Sequence, residues 1–278
     1  MLLGEYLERW LDQGAPSWSP NTLRQRRSAV RAWIAPGLGS VPLAELGTSK
    51  VREWQSSIAS QTTPGNVNNV VAVLSAALGA AVSDGMIPLN PCHAVRRVRN
   101  GAPRRRRIDY RTAQRILPYL SGANRTRAAL LLMAGLRPAE ASALMWSDVH
   151  DDYLVIERTI QGGSIQPTKT GAVRTVPIQD DLRVELWIAP RVAKWVAPAP
   201  GGGAMNGHNY SRRVLAPAGR ASGVRVTQYD FRHACATHML IDLGIAPVLV
   251  ASYLGHSPAV LLDIYSGAIS PSHVRSVR

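Results

Sequence analysis

Residues 153–178 read YLVIERTIQGGSIQPTKTGAVRTVPI. This stretch decides the fold class, because it carries the strand signal of the chain. Tyr153 to Thr159 reads as a strand, and Gln161-Gly162-Gly163 reads as a turn. Ile165 to Lys169 and Val173 to Ile178 read as two further strands, joined through Thr170-Gly171-Ala172. Helical patterns surround them. Upstream, Asp109 is placed to cap a helix through Leu120, a second helix starts near Asn124, and Pro138 suits a fresh helix start. Downstream, helices are expected at about 181–195, 210–221, 229–243, 247–254 and 258–264, with a Pro/Gly loop over 198–207. The expectation is a mainly α fold with a small antiparallel β-sheet.

Further upstream the pattern is helical throughout. Leu3, Tyr6, Leu7, Trp10 and Leu11 form one apolar stripe. Ser19-Pro20 opens a helix through about Ile34 that carries Arg24, Arg26, Arg27 and Arg31. A third helix starts near Ser49, and an Ala/Val-rich one runs from about Asn66 to Ser83. Between the halves, residues 96–107 read RRVRNGAPRRRR. Like charges at this density repel and extend the chain, which could span roughly 40 Å. The expected division is a helical domain over 1–95, an Arg-rich linker over 96–107, and a second domain over 108–278. Arg104, Arg105, Arg106 and Arg107 are candidate contacts to a phosphate backbone; the plainer alternative is a solvated linker.

The composition points the same way. The chain has 278 residues, 32 Lys plus Arg against 18 Asp plus Glu, and a formal charge of +14. Lys occurs only at 50, 169 and 194, so Arg supplies nearly all the cations. Arg binds phosphate bidentately, and this balance suggests a nucleic-acid partner, although codon bias alone also enriches Arg. Two Cys, 92 and 235, lie far apart, which suggests free thiols in a reducing compartment. No apolar run approaches the ~18 residues of a membrane span, and no secretory signal opens the chain. The nucleotide-binding, zinc-protease and serine-hydrolase motifs are absent, and no metal or other cofactor is expected.

Four segments remain. Ala134-Gly-Leu-Arg137-Pro-Ala-Glu140 precedes Leu144-Met-Trp146-Ser-Asp148. Lys169-Thr-Gly-Ala-Val-Arg174-Thr-Val-Pro177 lies in the strand region. Tyr229-Asp-Phe-Arg232-His233 opens a helix. Leu254-Gly255-His256 is followed nine residues after the His by Tyr265. Together, in this order, they resemble the tyrosine recombinase (phage integrase) family, over the whole second domain. The first half resembles that family's helical core-binding domain less specifically. The resemblance implies a helical core-binding domain plus an α+β tyrosine recombinase catalytic domain. It implies site-specific DNA recombination through a 3′-phosphotyrosine, with Lys169 protonating the leaving oxygen. It also implies double-stranded attachment sites as partners and a homotetramer assembled from free monomers. Many phage integrases carry an additional arm-binding domain. This chain therefore resembles an arm-less integrase or a simple Xer-like recombinase, or has lost that domain. Its Ala/Arg-rich composition suggests an actinobacteriophage type acting in the cytoplasm of a bacterial host.

Physical chemistry supports these assignments. Phosphodiester exchange without a metal needs charge neutralisation on the nonbridging oxygens, for which Arg137 and Arg232 are the candidates. Tyr265 fits the nucleophile, but a free phenol at pKa about 10 is scarcely ionised at pH 7. His256 is the expected proton acceptor, titrating near neutrality. Tyr229 stands where the family usually has His; it can donate to phosphate but cannot titrate near pH 7. His233, one residue beyond Arg232, is expected to be structural, as is Cys235. Taken singly, Arg137 with Glu140 and Arg232 with Asp230 could be plain salt bridges. Two alternatives keep the fold: a non-catalytic DNA-binding regulator, and a type IB topoisomerase-like activity.

Overall fold

The computed structural model describes residues 1–99, 101, 108–168, 171–257, 259 and 261. The described residues fall into two compact units, one within 1–104 and the other within 105–278.

The first unit is helical. Helix α1 (Leu3–Gly14) buries its apolar stripe, Leu3, Tyr6, Leu7, Trp10 and Leu11. Helix α2 (Pro20–Ala29) starts where Ser19 Oγ accepts the Thr22 N–H, and it continues through a π-turn at Val30–Ile34. Helices α3 (Thr48–Ala59) and α4 (Pro64–Ser83) complete the unit. Val30, Ile34, Val51, Trp54, Val67, Leu74 and Leu78 meet the α1 stripe in one core. The Tyr6 hydroxyl donates to the Ala77 carbonyl at 2.8 Å and pins α1 to α4. By length and composition α4 could cross a membrane, with a mean hydropathy of 1.4, unlike the expectation from apolar runs. Its Val67, Val70, Leu74, Ala77, Leu78 and Ala81 instead fill this core.

The start of the expected linker belongs to the first unit. The Asn68 side chain clasps Val98 from both sides, donating to its carbonyl and accepting its N–H at 2.9 Å each. Gln55 donates to the Arg96 carbonyl at 3.0 Å. Charge repulsion extends the backbone here, and two nearly buried amides then hold it. Arg104, Arg105, Arg106 and Arg107 lie outside the described residues.

The second unit opens with α5 (Tyr110–Gln114), capped by Asp109, whose carboxylate accepts the Thr112 N–H at 2.7 Å. The helix expected through Leu120 stops early and gives way to a 3₁₀ turn at Leu117–Tyr119, because Pro118 has no N–H to continue it. Helix α6 (Gly122–Leu132) is buried along most of its length and forms the centre of the core. Short helix α7 (Pro138–Ala141) follows.

The expected first strand divides in two. Strand β1 (Tyr153–Ile156) pairs antiparallel with β4 (Arg174–Pro177), and β2 (Arg158–Gln161) pairs with β3 (Ser164–Pro167). Leu154 and Ile156 are buried, but the next buried position is Thr159. The inward phase therefore slips by one at Glu157, where the chain changes partners. Helix α8 (Asp180–Trp187) ends well before residue 195, as the residue before Pro190 disfavours helical backbone. Helix α9 spans 207–221 with a π-turn at Ser211–Leu215. Helix α10 (Gln228–Thr237) runs on through a π-turn at His238–Asp242. Helix α11 is Pro247–Leu254. The helix expected at 258–264 lies largely outside the described residues.

Candidate active site

The site assembles at the ends of three elements. After α6 the chain turns through Gly135, whose φ of 60° is left-handed. A side chain there would run into Leu254, with a Cβ only 2.6 Å from its Cδ2. The turn places Arg137 just before α7. The Glu140 carboxylate reaches back to accept the Arg137 N–H at 2.7 Å, closing the helix start. Arg232 lies on α10, which Thr227 caps. Helix α11 ends at Gly255, φ 65°, and the His256 N–H folds back onto the Ala251 carbonyl at 2.9 Å.

Three guanidiniums converge on Glu140, which is 1% exposed. Arg137 Nη1 donates to Oε1 at 2.8 Å. Arg174, from β4, forks both oxygens at 2.9 and 2.7 Å. Arg232 Nη1 stands 3.9 Å from Oε2. The same three side chains take the last three carbonyls of the α11 terminus, one each. Arg174 Nε donates to Tyr253 at 3.1 Å, Arg232 Nη2 to Leu254 at 2.7 Å, and Arg137 Nη2 to Gly255 at 2.5 Å. Arg232 also donates to the Gly135 carbonyl. Cations at a helix C-terminus are favourable, and these three bind it to the start of α7.

Burial alone would raise the Glu140 carboxyl. The hydrogen bonds and charge of Arg174, then the Arg137 N–H and charge, overcome that and hold it at about 2. One carboxylate against three guanidiniums leaves two net positive charges in a largely dry recess. Burial, with Arg137 next, lowers Arg232 to about 10, so it stays charged at neutral pH. His256 falls to about 4, through burial first and then the charges of Arg232, Arg137, His233 and Arg174. The expectation that His256 titrates near neutrality is therefore corrected for this phosphate-free state. Its Nε2 lies 2.8 Å from Arg232 Nη2. A guanidinium can only donate, so Nε2 accepts and the ring proton sits on Nδ1. Nδ1 is buried and has no partner among the described residues.

Of the residues singled out from sequence, Arg137, Arg232 and His256 come together here. Tyr229 is 55% exposed and, with His208, Ser211 and Pro138, lines a pocket of about 360 Å³. Lys169 and Tyr265 lie outside the described residues. The salt-bridge alternative holds for Arg137 with Glu140 but not for Arg232 with Asp230, whose carboxylate accepts from Thr227 instead. Arg174 and the central part of Glu140 were not singled out, although both stand inside the quoted motifs. Arg127 carried no local signal. It is fully buried and reaches Ser142 and the Pro138 carbonyl at α7 and Gln228 at the start of α10, two other segments. The Cys235 thiol is buried and pushed up to about 12, as befits a core residue. Tyr253 is also held as structure: its hydroxyl donates to the Met133 carbonyl at 3.0 Å, and burial raises its pKa.

Residues 106–268 match the family described as the phage integrase family, which is more than half of the chain. The chain belongs to the phage integrase family. Residues 2–59 match the phage integrase N-terminal SAM-like domain. Among relatives of this integrase-family chain, the integrase of Enterobacteria phage 434 is 26% identical over 170 residues, covering 57% of this chain and 46% of that protein. Tyrosine recombinase XerA of Pyrococcus furiosus is 28% identical over 166 residues, covering 58% and 55%. The chain thus spans about half the length of the curated relatives it matches. In fold it is similar to a lambda integrase dimer bound to a COC′ core site, with TM-score 0.78 and 20% identity, covering 95% of this chain and 77% of that one. It is equally similar to the Tn1549 transposon integrase in complex with circular intermediate DNA, with TM-score 0.82 and 17% identity over 99% and 98%. Both likenesses fit a helical unit followed by an α+β unit with a small antiparallel sheet.

Proposed function

We propose that this chain is a tyrosine site-specific recombinase that cleaves and rejoins duplex DNA at attachment sites. The observation that carries the reading is the recess in which Arg137, Arg174 and Arg232 converge on one ionised Glu140 with charge to spare, and His256 stands against Arg232. A phosphodiester is the anion that suits it. Arg137 and Arg232 neutralise the nonbridging oxygens, and the His256 Nδ1–H donates to one of them. Tyr265 gives its phenolic proton to solvent, rather than to a His256 whose basicity burial and the neighbouring guanidiniums lower, and attacks phosphorus through the resulting phenolate oxygen. The new O–P bond forms as the bond to the 5′ oxygen breaks, and Lys169 supplies that oxygen's proton. The phosphate stays attached to the protein, so a second 5′ hydroxyl can reverse the step with no cofactor. Tyr229 donates a hydrogen bond to the same backbone.

The similar lambda integrase structures, a dimer on a COC′ core site and a tetramer on a Holliday junction, support double-stranded DNA as partner and four protomers in the working assembly. In this reading residues 1–95 and residues 108–278 each bind the duplex. The linker at 96–107 follows its backbone through Arg104, Arg105, Arg106 and Arg107. The setting is the DNA-containing compartment of a host cell.

The test incubates nicked duplexes from the flanks of the coding gene with wild type and with Tyr265→Phe, followed by a denaturing gel. An adduct formed by wild type and absent with Phe is the expected result. An adduct with both moves the nucleophile elsewhere. Salt-dependent binding without any adduct on several such duplexes overturns the catalytic reading.

A further inference from the structure

We propose that Arg174 is a positioning residue for phosphodiester cleavage, aiming Arg137 and Arg232 at one phosphate through Glu140 and the end of α11. The inference rests on the reading above. Arg174 is only 12% exposed, and three of its five N–H groups are committed to protein acceptors. Both Nη atoms hold the Glu140 carboxylate in a fork. That carboxylate in turn holds Arg137 by backbone and side chain at 2.7 and 2.8 Å. Nε holds the Tyr253 carbonyl, next to the Leu254 and Gly255 carbonyls that receive Arg232 and Arg137. Among the described residues, Arg174 is thus the side chain that joins strand β4, the start of α7 and the end of α11. Gly255 is shaped for it: a Cβ there would lie 3.1–3.3 Å from Nη1, Cδ and Cζ of Arg174.

Between Arg137 and Arg174 the geometry separates presenting from holding. The Arg137 side chain is 32% exposed and keeps three N–H groups without an acceptor among the described residues. Arg174 is turned inward and saturates one face of the carboxylate. Without it Glu140 is free to rotate, Arg137 follows it, and the α11 terminus loses one of its three anchors.

The test uses a substrate change that acts on charge neutralisation alone. A methylphosphonate at the cleaved position replaces one nonbridging oxygen by methyl and removes the charge that the guanidiniums neutralise. The duplex is the one whose cleavage position the wild-type adduct maps. Each variant is compared with wild type on the same substrate. Arg174→Met is expected to slow adduct formation about 100-fold on the phosphodiester, the scale of a ~1 Å misplacement, and less than about fivefold on the methylphosphonate. Arg137→Met, the control for neutralisation itself, should show the same relief. Arg174→Lys restores the charge but not the fork, and should fall between wild type and Met. If Met does not fold, Lys carries the same comparison.

Equal losses for the Arg174 variants on both substrates, with Arg137→Met relieved, overturn the inference and leave Arg174 a fold residue only. So does an Arg174→Met rate within about threefold of wild type on the phosphodiester. An Arg137→Met loss that persists on the methylphosphonate overturns the neutralisation reading first, and the Arg174 inference with it.

Discussion

Glu140→Gln keeps the side-chain volume and removes the one negative charge that three guanidiniums share. The Glu140 carboxyl is held at about 2 against an ordinary 4.5. At ~1.36 kcal/mol per pKa unit, that depression amounts to about 3 kcal/mol of folding stability. An independent route agrees, since removing one partner of a buried ion pair typically costs ~3–5 kcal/mol. For a unit of this size the loss corresponds to a Tm lower by about 6–12 °C. The sign of the pH dependence follows from the direction of the shift. The folded carboxyl is the stronger acid, so on acidification the unfolded chain takes up the proton first. The stabilisation is complete above about pH 4.5 and disappears as the pH falls through about 2. Urea unfolding of wild type and Glu140→Gln, followed by circular dichroism, measures it. The difference should be about 3 kcal/mol at neutral pH and about half that near pH 3. A neutral-pH difference under ~1 kcal/mol, or one that stays level down to pH 3, would refute the shared-carboxylate argument.

Three further outcomes follow from the geometry. His256 titrates at about 4 in the folded chain against an ordinary 6.5, so wild type should lose stability relative to His256→Gln as the pH falls through that window. Allowing for the ring's partial exposure, the loss is about 1 kcal/mol near pH 5, and an NMR titration midpoint near 6.5 would remove its basis. Asn68→Ala deletes two hydrogen bonds to Val98, each worth ~1 kcal/mol. Trypsin should then cut after Arg96, Arg97 and Arg99 about tenfold faster or more, and an unchanged rate would show that the segment is held otherwise. Tyr253→Phe loses the bond to the Met133 carbonyl and should cost about 1 kcal/mol in unfolding while leaving adduct formation intact. Loss of the adduct in that variant would make Tyr253 a participant in the chemistry.

Much of this was legible in the sequence because it is local or ordered. The stripe of α1, the Ser19-Pro20 helix start and the antiparallel strands around Gly162-Gly163 each follow from a few neighbouring residues. Arg137, Arg232 and His256 were found by motif order, and folding brings them within one recess. What was not legible depends on distant partners. Nothing near Arg127 tells that it will be buried against Gln228, 101 positions away. Glu140 reads as a helix-start acid, and only the arrival of Arg174 and Arg232 makes it the hub. The titration of His256 is set by four groups from other segments, so its ordinary value misleads. The change of partner at Glu157 is a matter of register, which the strand signal of residues 153–159 does not record.

The charge count of the site bears on why one acid is retained among three bases. Three guanidiniums packed this closely would repel one another and could not be buried, as Arg232 is at 3% exposure, without an anion among them. A second acid would let them pack more easily but would leave only one positive charge. With Glu140 alone the excess is two. A bound phosphodiester carries one negative charge, and attack by a phenolate brings a second. In the proposed reaction, and with Lys169 left out of the count, this excess matches the charge of a phosphorane-like transition state better than that of the bound substrate. Interactions that strengthen between those two states are the ones that accelerate the step. A neutral His256 fits the same count, because its Nδ1–H adds a directed donor without adding a charge that would bind the ground state more tightly. Glu140 thus stabilises the empty site and sets its excess charge, and Arg174 fixes where that carboxylate points.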